Sequence, residues 1–154
     1  MYYTLFAMEL SQAKSLLMNH ALKLLARRAH SEEELKRKLT RYFSRKSIQH
    51  VLVYLDETIS LLREKNLLSD REFAESFTRD RMNLKPKSKR ALKQELRSKG
   101  IEDDTIEKTL ADYDELEACR KVAERKRNYS PQRLIAYLLR QGFPWDIIQE
   151  AIRT

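Results

Sequence analysis

The stretch "SKRALKQELRSKGI", Ser88–Ile101, decides the fold because its pattern occurs at two other places in the chain. Leucines stand four and eight residues after Ser88, and Gly100 stands twelve residues after it. A serine before leucines at helical spacing predicts a helix that begins at an N-cap, and a glycine beyond them predicts its end. We call this pattern the serine–leucine motif and expect it to form one short amphipathic helix.

The two relatives of this stretch are "SEEELKRKLTRYFS", which begins at Ser31, and "SPQRLIAYLLRQGF", which begins at Ser130. Both have leucines at the same two distances from the serine. The third copy has Gly142 where the second has Gly100, whereas the first has Phe43 at that position. We therefore expect Gly100 and Gly142 to end helices, and the first copy to depart from this glycine stop.

An amphipathic helix is predicted before each copy of the motif, because apolar residues recur there at helical spacing. These helices cover about residues 14–28, 70–82 and 115–127. The segment "LSDREF" predicts the start of the second one through a capping box, with Ser69 as the N-cap and Glu72 three residues later. Leu68 is placed to pack against Phe73 as a hydrophobic staple.

A helix is also predicted after each copy. The three helices have the apolar triples Ile48/Val51/Leu52, Ile106/Thr109/Leu110 and Ile148/Ala151/Ile152. Residues 47–64 have an apolar period of about 3.6 and are expected to form one long helix with one buried stripe. Pro86, Pro131 and Pro144 are expected in first helical turns, where the fixed φ and missing N–H of proline are tolerated.

The unit is therefore three helices, and it occurs three times. The fold class is expected to be all-α, with three tandem three-helix repeats in an elongated, curved array, since units of this size must share apolar faces. With only two glycines and three prolines, the composition favours helix almost everywhere. The expected domains are 1–66 (an N-terminal extension and repeat 1), 67–112 (repeat 2, the most basic) and 113–154 (repeat 3).

The composition excludes several classes of protein. Of the 154 residues, 42% are hydrophobic and 35% are charged, which excludes a disordered chain and an integral membrane protein. Cys119 is the only cysteine, so an internal disulfide is excluded and a buried apolar role is expected. The segment "MYYTLFAMELSQAK" lacks a basic start and contains Glu9, unlike a signal peptide. We expect a cytoplasmic protein, and a monomer because no heptad seam is sustained.

The net charge of +8 favours an acidic partner such as nucleic acid or an acidic protein surface. The charge is concentrated in the second repeat, where nine basic residues form the predicted partner-binding and DNA-binding patch: Arg79, Arg81, Lys85, Lys87, Lys89, Arg90, Lys93, Arg97 and Lys99. Lys89, Lys93 and Arg97 are expected to form one stripe on the helix beside Leu92 and Leu96. The alternative interpretation is a solvated helix face without a partner.

Smaller basic groups are predicted in the other two repeats. They are Arg27, Arg28, Lys36, Arg37, Lys38 and Arg41 in the first, and Arg125, Lys126, Arg127, Arg133 and Arg140 in the third. Residues 101–117 instead contain eight acidic side chains and one basic one. This segment could face away from a polyanion, neutralise a neighbouring basic helix, or contact basic loops of a protein partner.

No residue pattern predicts a catalytic, cofactor or metal site. There is no glycine-rich phosphate loop and no nucleophile motif, and the three histidines lack the spacing of zinc ligands, so each is expected to be structural or exposed. Trp145 is expected in the core, with an exposed anchor for a partner as the alternative. The other aromatic side chains near the expected helix junctions are expected to pack there: Tyr42, Phe43, Tyr129, Tyr137 and Phe143.

The chain from about residue 14 to residue 153 resembles the RecX family of bacterial recombinase regulators. The segments that carry the resemblance are "ALKLLARRAHSEEELKRKL", "NLLSDREFAESFTRDR", "ALKQELRSKGI" and "YLLRQGFPWDIIQEAI". Its most specific positions are Leu67, Leu68, Asp70, Phe73, Ala74, Arg79, Arg81, Leu92, Glu95, Leu96, Gly100 and Ile101. The chain departs from the family at Asn66 and Ser69, which replace the usual Gly and Asp of a GLLDD-like segment, and at Phe43. Asn tolerates the left-handed conformation and Ser is a good N-cap, so the first two changes are compatible with the fold.

The resemblance implies tandem three-helix repeats and a non-catalytic protein that binds the RecA filament on single-stranded DNA, within its helical groove. It also implies inhibition of the ATP hydrolysis, strand exchange and coprotease activities of RecA, in the regulation of recombination, DNA repair and the SOS response. The alternative is a module that binds nucleic acid directly through Lys85–Lys99. Against this alternative stand the acidic segment 101–117 and the near absence of Asn and Gln from the basic helix, where only Gln94 could read base edges.

Overall fold

The computed structural model describes residues 2–153 and the side chains of residues 11–153. Within this range every regular element is helical, which confirms the all-α prediction. The elements are α1 (Tyr2–Leu25), α2 (Glu32–Arg45), a 3-10 helix (Gln49–Tyr54), α3 (Leu55–Glu64), α4 (Asp70–Leu84), α5 (Lys89–Ser98), α6 (Asp103–Leu110), α7 (Glu115–Arg125), α8 (Pro131–Arg140) and α9 (Trp145–Ile152). None of these helices combines the length and the apolar character needed to cross a bilayer.

The serine of each motif is the N-cap of a helix, as predicted. The Oγ atoms of Ser31, Ser88 and Ser130 accept hydrogen bonds from the N–H groups three residues later, at 3.1, 3.2 and 3.4 Å. Ser69 accepts from the N–H of Glu72 in the same way, at 3.2 Å. Each bond satisfies one of the N–H groups that a helix leaves unpaired in its first turn.

Four helices end in the same way, with a residue in the left-handed conformation. These residues are Ser47, Asn66, Gly100 and Gly142, with φ of 57°, 55°, 80° and 85°. The N–H of the next residue then donates to the carbonyl five positions back, as in Ile101 to Leu96 (3.2 Å) and Phe143 to Leu138 (3.3 Å). This is the Schellman arrangement, and it confirms Gly100 and Gly142 as helix stops.

The end of α2 departs from the glycine stop, as expected for the first copy. Phe43 is fully buried inside the helix, and the left-handed residue is Ser47, one turn later. The N–H of Ile48 closes this end on the carbonyl of Phe43, at 3.1 Å. Asn66 also adopts the left-handed conformation, which asparagine tolerates, as expected.

The prediction of one helix over residues 47–64 is wrong. After Ser47 the chain forms the 3-10 helix, and α3 begins only at Leu55. Neither element has a side-chain N-cap bond, and the first contains β-branched Val51 and Val53, which lower helix propensity. Ile48 is used to close α2 and so stands outside the following helix.

The three prolines divide between confirmed and corrected predictions. Pro131 is the first residue of α8, as expected, whereas Pro144 is the N-cap residue of α9. Pro86 lies in the connection before α5, because Ser88 supplies the cap and the helix starts at Lys89.

The chain divides into two compact units, residues 1–73 and 74–154. In the first unit α1 packs against α2, the 3-10 helix and α3. Its buried core consists of Ala13, Leu17, Ala21, Leu35, Leu39, Phe43, Val51, Ile59, Leu62 and Leu68. The leucines four and eight residues after Ser31 are both in this core, as the motif predicts.

In the second unit α5 packs on α6, and α7, α8 and α9 pack on one another. The buried residues from these helices include Leu92, Leu96, Ile101, Ile106, Leu110, Cys119, Val122, Leu138, Phe143, Ile148 and Ala151. Cys119 is buried as predicted, and this burial raises the pKa of its thiol to about 11. Trp145 is 50% exposed, so its predicted core role is wrong: it is the first residue of α9, and the buried residues of this helix are Ile148 and Ala151.

A second hydrogen bond at the start of two motif helices links successive repeats. The N–H of Glu32, at the start of α2, donates to Asp70 Oδ1 at 2.7 Å. The N–H of Lys89, at the start of α5, donates to Glu115 Oε1 at 2.8 Å. Both carboxylates belong to the first residue of the first helix of the following repeat, and each is placed at the positive end of the helix dipole.

Ser88 also joins α5 to the end of α8. Its Oγ donates to the carbonyl of Gln141 at 2.8 Å while it accepts from the N–H of Ala91. A Cβ on Gly142 would stand only 3.0 Å from Ser88 Oγ. Gly142 is therefore required both for its positive φ and for the close approach of α5.

His30 is a buried histidine held in one tautomer. It is 3% exposed, with Nδ1 2.9 Å from the carbonyl of Arg28 and Nε2 2.8 Å from the Lys38 ammonium. Because an ammonium can only donate, Nε2 accepts and Nδ1–H donates. Burial lowers the pKa of His30, and the charges of Arg28 and Lys38 lower it further, against the opposing effects of the backbone bond to Arg28 and of Glu34.

The left-handed residue at the end of α2 generates the first prediction. We expect Ser47→Gly to raise the free energy of unfolding by about 0.5–1 kcal/mol, because glycine adopts positive φ without the steric cost of a Cβ. The matched control is Ser44→Gly, inside α2, which should lower stability by a similar amount. Urea unfolding followed by circular dichroism measures both, and a change in the same direction for both variants contradicts the assignment.

The environment of His30 generates the second prediction. The folded-state pKa of His30 lies below 6.5, so as the pH falls the unfolded chain binds a proton before the folded chain does. The free energy of unfolding is therefore fully present above pH 6.5 and decreases below it. We expect the difference in urea midpoint between about pH 7.5 and about pH 5.5 to be smaller in His30→Gln, which keeps an acceptor for Lys38 but does not titrate. Equal pH dependence in the two proteins would exclude His30 as a source of it.

Candidate functional site

The predicted basic stripe on α5 is largely neutralised by α6. Lys93 Nζ lies 2.9 Å from Glu107 Oε1, and Arg97 makes two bonds to Asp103, at 2.6 and 2.9 Å. The hydrogen bond from Arg97 lowers the pKa of the Asp103 carboxyl. Of the three roles considered for the acidic segment, the structure shows the neutralisation of a neighbouring basic helix. Both pairs lie at the surface, where water and salt screen them and other anions can compete.

Two further cations of the patch hold the structure together around Glu95. Arg81 Nε lies 2.8 Å from Glu95 Oε2, and Lys87 binds the other carboxylate oxygen. Burial alone would raise the pKa of Glu95, but the hydrogen bonds from Lys87 and Arg81 outweigh it, and the pKa is lowered. Arg81 also stacks over the ring of Phe77, at 4.7 Å. These contacts connect α4, the loop after it and α5, so Arg81 and Lys87 have structural roles.

The remaining cations of the patch are arranged differently. Arg79, Lys85 and Arg90 are exposed, whereas Lys89 and Lys99 are half-buried. Arg90 leans over the end of α8, with its Cδ 3.7 Å from where a Cβ on Gly142 would stand. The nine residues therefore do not form one continuous surface of available positive charge.

Half of the basic group of the first repeat is paired with carboxylates of the chain itself. Arg28 contacts both oxygens of buried Glu34, at 2.6 and 3.2 Å, and Lys38 lies 3.8 Å from the same carboxylate. Lys36 lies 3.1 Å from both Glu32 and Asp56, and these hydrogen bonds raise its pKa. The other three members, Arg27, Arg37 and Arg41, are exposed.

The basic group of the third repeat surrounds two tyrosines. The rings of Tyr129 and Tyr137 meet edge to face, with centroids 5.8 Å apart. Lys126 stands over both rings, at 5.5 and 5.3 Å, and the Arg133 guanidinium lies 4.2 Å from the Tyr129 ring. Arg125 instead donates to the carbonyls of Leu84 and Asn83, at 3.0 and 3.3 Å, while Arg127 is exposed.

An open groove within the second unit brings together residues that the sequence placed in separate groups. It is lined by Arg90, Ala91, Gln94, Leu139, Arg140, Gln141 and Gly142, and we call it the α5–α8 groove. Arg90 came from the middle patch and Arg140 from the third group. The two lining amides, Gln94 and Gln141, were not predicted as site residues, although Gln94 follows Arg90 by one helical turn, a spacing that places both on one face.

The other aromatic side chains and histidines lie outside this groove. His20 stacks on Tyr42, with ring centroids 3.7 Å apart, and both rings contact Phe43 edge-on. The predicted packing role is confirmed for Phe43 and Phe143, which are buried. His50 is exposed, and among the described side chains no three His, Cys, Asp or Glu residues converge as metal ligands would.

The helices that carry these residues correspond to known protein domains. Family models for the first, second and third three-helix domains of RecX match residues 18–55, 69–110 and 112–152. The chain is 36% identical over 148 residues to the "Regulatory protein RecX" of Chlorobaculum tepidum, with 91% of this chain and 88% of the relative covered. It is 35% identical to the protein of the same name from Pelodictyon phaeoclathratiforme, over 88% of this chain and 86% of the relative.

Solved structures show the same fold. A crystal structure of the regulatory protein RecX superimposes with a TM-score of 0.79 at 20% identity, covering 100% of this chain and 78% of the other. The crystal structure of RecX from Lactobacillus salivarius superimposes with a TM-score of 0.73 at 28% identity, covering 93% of this chain and 96% of the other. Matching domains in the same order and more than a third of identical residues over nine-tenths of its length show that the chain belongs to the RecX family of regulatory proteins.

Proposed function

We propose that this chain is a negative regulator of the RecA recombinase. It binds the RecA filament on single-stranded DNA, within the helical groove of the filament, and inhibits ATP hydrolysis, strand exchange and coprotease activity. It does so as a monomeric, cytoplasmic binding protein without a catalytic step. The observation that carries the proposal is the match of all three RecX three-helix domains, in order, along the chain.

The surface chemistry supports a protein partner with charge of both signs. On α5 and α6, cations and carboxylates alternate in surface pairs such as Lys93–Glu107 and Arg97–Asp103. Such pairs can exchange partners with the charges of another protein at little cost, because water already screens them. Exposed cations in both compact units, such as Arg37 and Arg79, would add separate weak contacts whose effects combine through avidity.

Contacts with several RecA subunits would then be distributed over the repeats, for which we propose the boundaries 1–66, 67–112 and 113–154. Within repeat 2, the exposed side chains of Arg79, Lys85 and Arg90 are the ones we propose for direct contact. Arg81 and Lys87 act indirectly, by fixing α4 and α5 on Glu95.

A second candidate function is direct binding of nucleic acid without RecA. The α5–α8 groove favours it, because two arginines and two amides line the same opening. In that case affinity would need no protein partner and would fall steeply with salt. The carboxylates of α6 beside α5 count against a binding surface that relies on α5 alone.

The third prediction tests the regulatory function through ATP hydrolysis by RecA on excess single-stranded DNA. We expect the native chain to inhibit hydrolysis at substoichiometric amounts, and the triple variant Lys89→Glu, Lys93→Glu, Arg97→Glu to inhibit less. The new carboxylates would repel both Glu107 and Asp103 and any acidic surface of the filament. The matched control is Lys23→Glu, Lys65→Glu, Arg120→Glu, which makes the same change in net charge at exposed positions outside the basic groups.

The outcomes of this assay separate the two functions. Absence of inhibition by the native chain would contradict the role as a RecA regulator. Equal inhibition by the native chain and both triple variants would keep the role and place the contact away from α5. A direct comparison of affinities gives a second criterion, since binding to RecA-coated DNA should exceed binding to the same bare DNA at physiological salt.

A further inference from the structure

The cations of the second unit fall into two classes. In the first class the positive charge faces a carboxylate of the chain itself, as in Lys93–Glu107 and Arg97–Asp103. The second class includes Arg90 and Arg140, which are exposed and have no acidic side chain within ion-pair distance among residues 11–153. An incoming anion displaces a carboxylate at the first class but only water at the second.

Arg90 and Arg140 are distinguished by coming from different helices and lining one groove. Arg90 lies in the first turn of α5, and Arg140 is the last residue of α8. The bond from Ser88 Oγ to the carbonyl of Gln141 holds these helix ends together, and the missing side chain of Gly142 lets them approach. The separation of the two arginine backbones is therefore fixed by contacts that do not involve a ligand.

The other polar groups of the groove suit an anion with several oxygen atoms. The amides of Gln94 and Gln141 can donate N–H bonds, and a guanidinium presents a planar fork that matches the oxygens of a phosphate. None of the seven residues that line the groove is acidic. The groove is therefore a site of donors without a built-in competing carboxylate.

An aromatic ring and a further arginine continue from the groove along α8. Arg133, Tyr137 and Arg140 follow one another at intervals of four and three residues, so they lie on one face of the helix. Tyr137 is half-buried and is held in place by Tyr129 and by Lys126. A face on which positive groups alternate with an aromatic ring is typical of proteins that bind single-stranded nucleic acid, where cations contact phosphates and rings stack on bases.

We infer that the α5–α8 groove binds the phosphodiester backbone of single-stranded nucleic acid, with a phosphate between Arg90 and Arg140 and the strand continuing over Arg133 and Tyr137 on α8. This inference deepens the proposed function, since it names where on this chain the nucleic acid of the filament is contacted. It moves that contact from the outer stripe of α5, which faces α6, to the opening between α5 and α8. Tyr137 distinguishes a nucleic-acid strand from an acidic peptide, because a peptide of carboxylates has no base to stack on the ring.

The test compares two double variants that remove the same charge. Binding of a fluorescein-labelled single-stranded DNA of about 20 nucleotides is followed by fluorescence anisotropy, between about 50 and 200 mM salt. In Arg90→Gln, Arg140→Gln we expect affinity to fall about tenfold and the slope of log K against log salt to decrease by about 1.4, the value for two lost phosphate contacts on a single strand. The matched control, Lys93→Gln, Arg97→Gln, should change affinity less than about twofold, since those cations already face carboxylates.

Three results would overturn the inference. One is equal loss in the two variants, which would mean that only net charge matters. Another is the absence of measurable binding of this DNA by the native chain. The third is equally tight, groove-dependent binding of a labelled polyglutamate peptide, which would assign the groove to an acidic protein segment.

The same proteins also separate this inference from the proposed function. Inhibition of RecA ATP hydrolysis by a native chain that does not bind bare DNA would keep the regulatory role and overturn the groove inference. Binding of DNA that depends on Arg90 and Arg140, by a chain that does not inhibit RecA, would keep the groove and overturn the regulatory role. Thermal unfolding of each variant is the check that the substitutions leave the fold intact.

Discussion

The structure depends on hydrogen bonds at the ends of its short helices. From α2 onwards the α-helices have 8 to 15 residues, a length at which an isolated helix is marginal in water. Serine oxygens satisfy N–H groups at the start of the motif helices, and a left-handed residue closes four helix ends on their own carbonyls. Once the N–H and C=O groups at their ends are hydrogen-bonded, these helices can bury their leucine faces. The positions of the helix ends then determine which faces pack together in each unit.

This dependence explains which parts of the fold the sequence predicts well. Caps and stops are local, so Ser88 and Gly100 are read correctly from their neighbours alone, and the periodic leucines between them follow. The predictions fail where an alternative backbone conformation ends a helix, or where burial depends on packing against distant parts of the chain. Ser47 adopts the left-handed conformation that ends α2, and this interrupts the predicted helix over residues 47–64. Trp145 stands at the start of α9 and is half exposed, whereas Ile148 and Ala151 of the same helix are buried.

The candidate site shows a sharper limit of prediction from sequence. Net charge and charge clustering identify α5 as the most basic helix, but they do not show which cations already have a partner. That property depends on how the helices pack, which brings Glu107 to Lys93 and Asp103 to Arg97 from the following helix. The approach of Arg90 to Arg140 across fifty residues is likewise a product of the Ser88–Gln141 contact, which no spacing rule contains. Charge is thus visible in the sequence, whereas its availability is visible only in the structure.

The two carboxylate links between repeats run in one direction along the chain: an N–H of the earlier repeat donates to a carboxylate of the later one. The first N–H of α2 donates to Asp70, and the first N–H of α5 donates to Glu115. Each of these helices therefore depends on an acceptor from the repeat that follows it. The helix of the third motif opens instead with Pro131, whose nitrogen carries no hydrogen. The third motif helix therefore needs no hydrogen-bond acceptor at its first residue. In repeat 3, proline removes the N–H donor that a carboxylate of the following repeat satisfies in repeats 1 and 2. If repeat 1 or 2 were placed last in a shortened chain, the first N–H of its motif helix would therefore have no carboxylate acceptor.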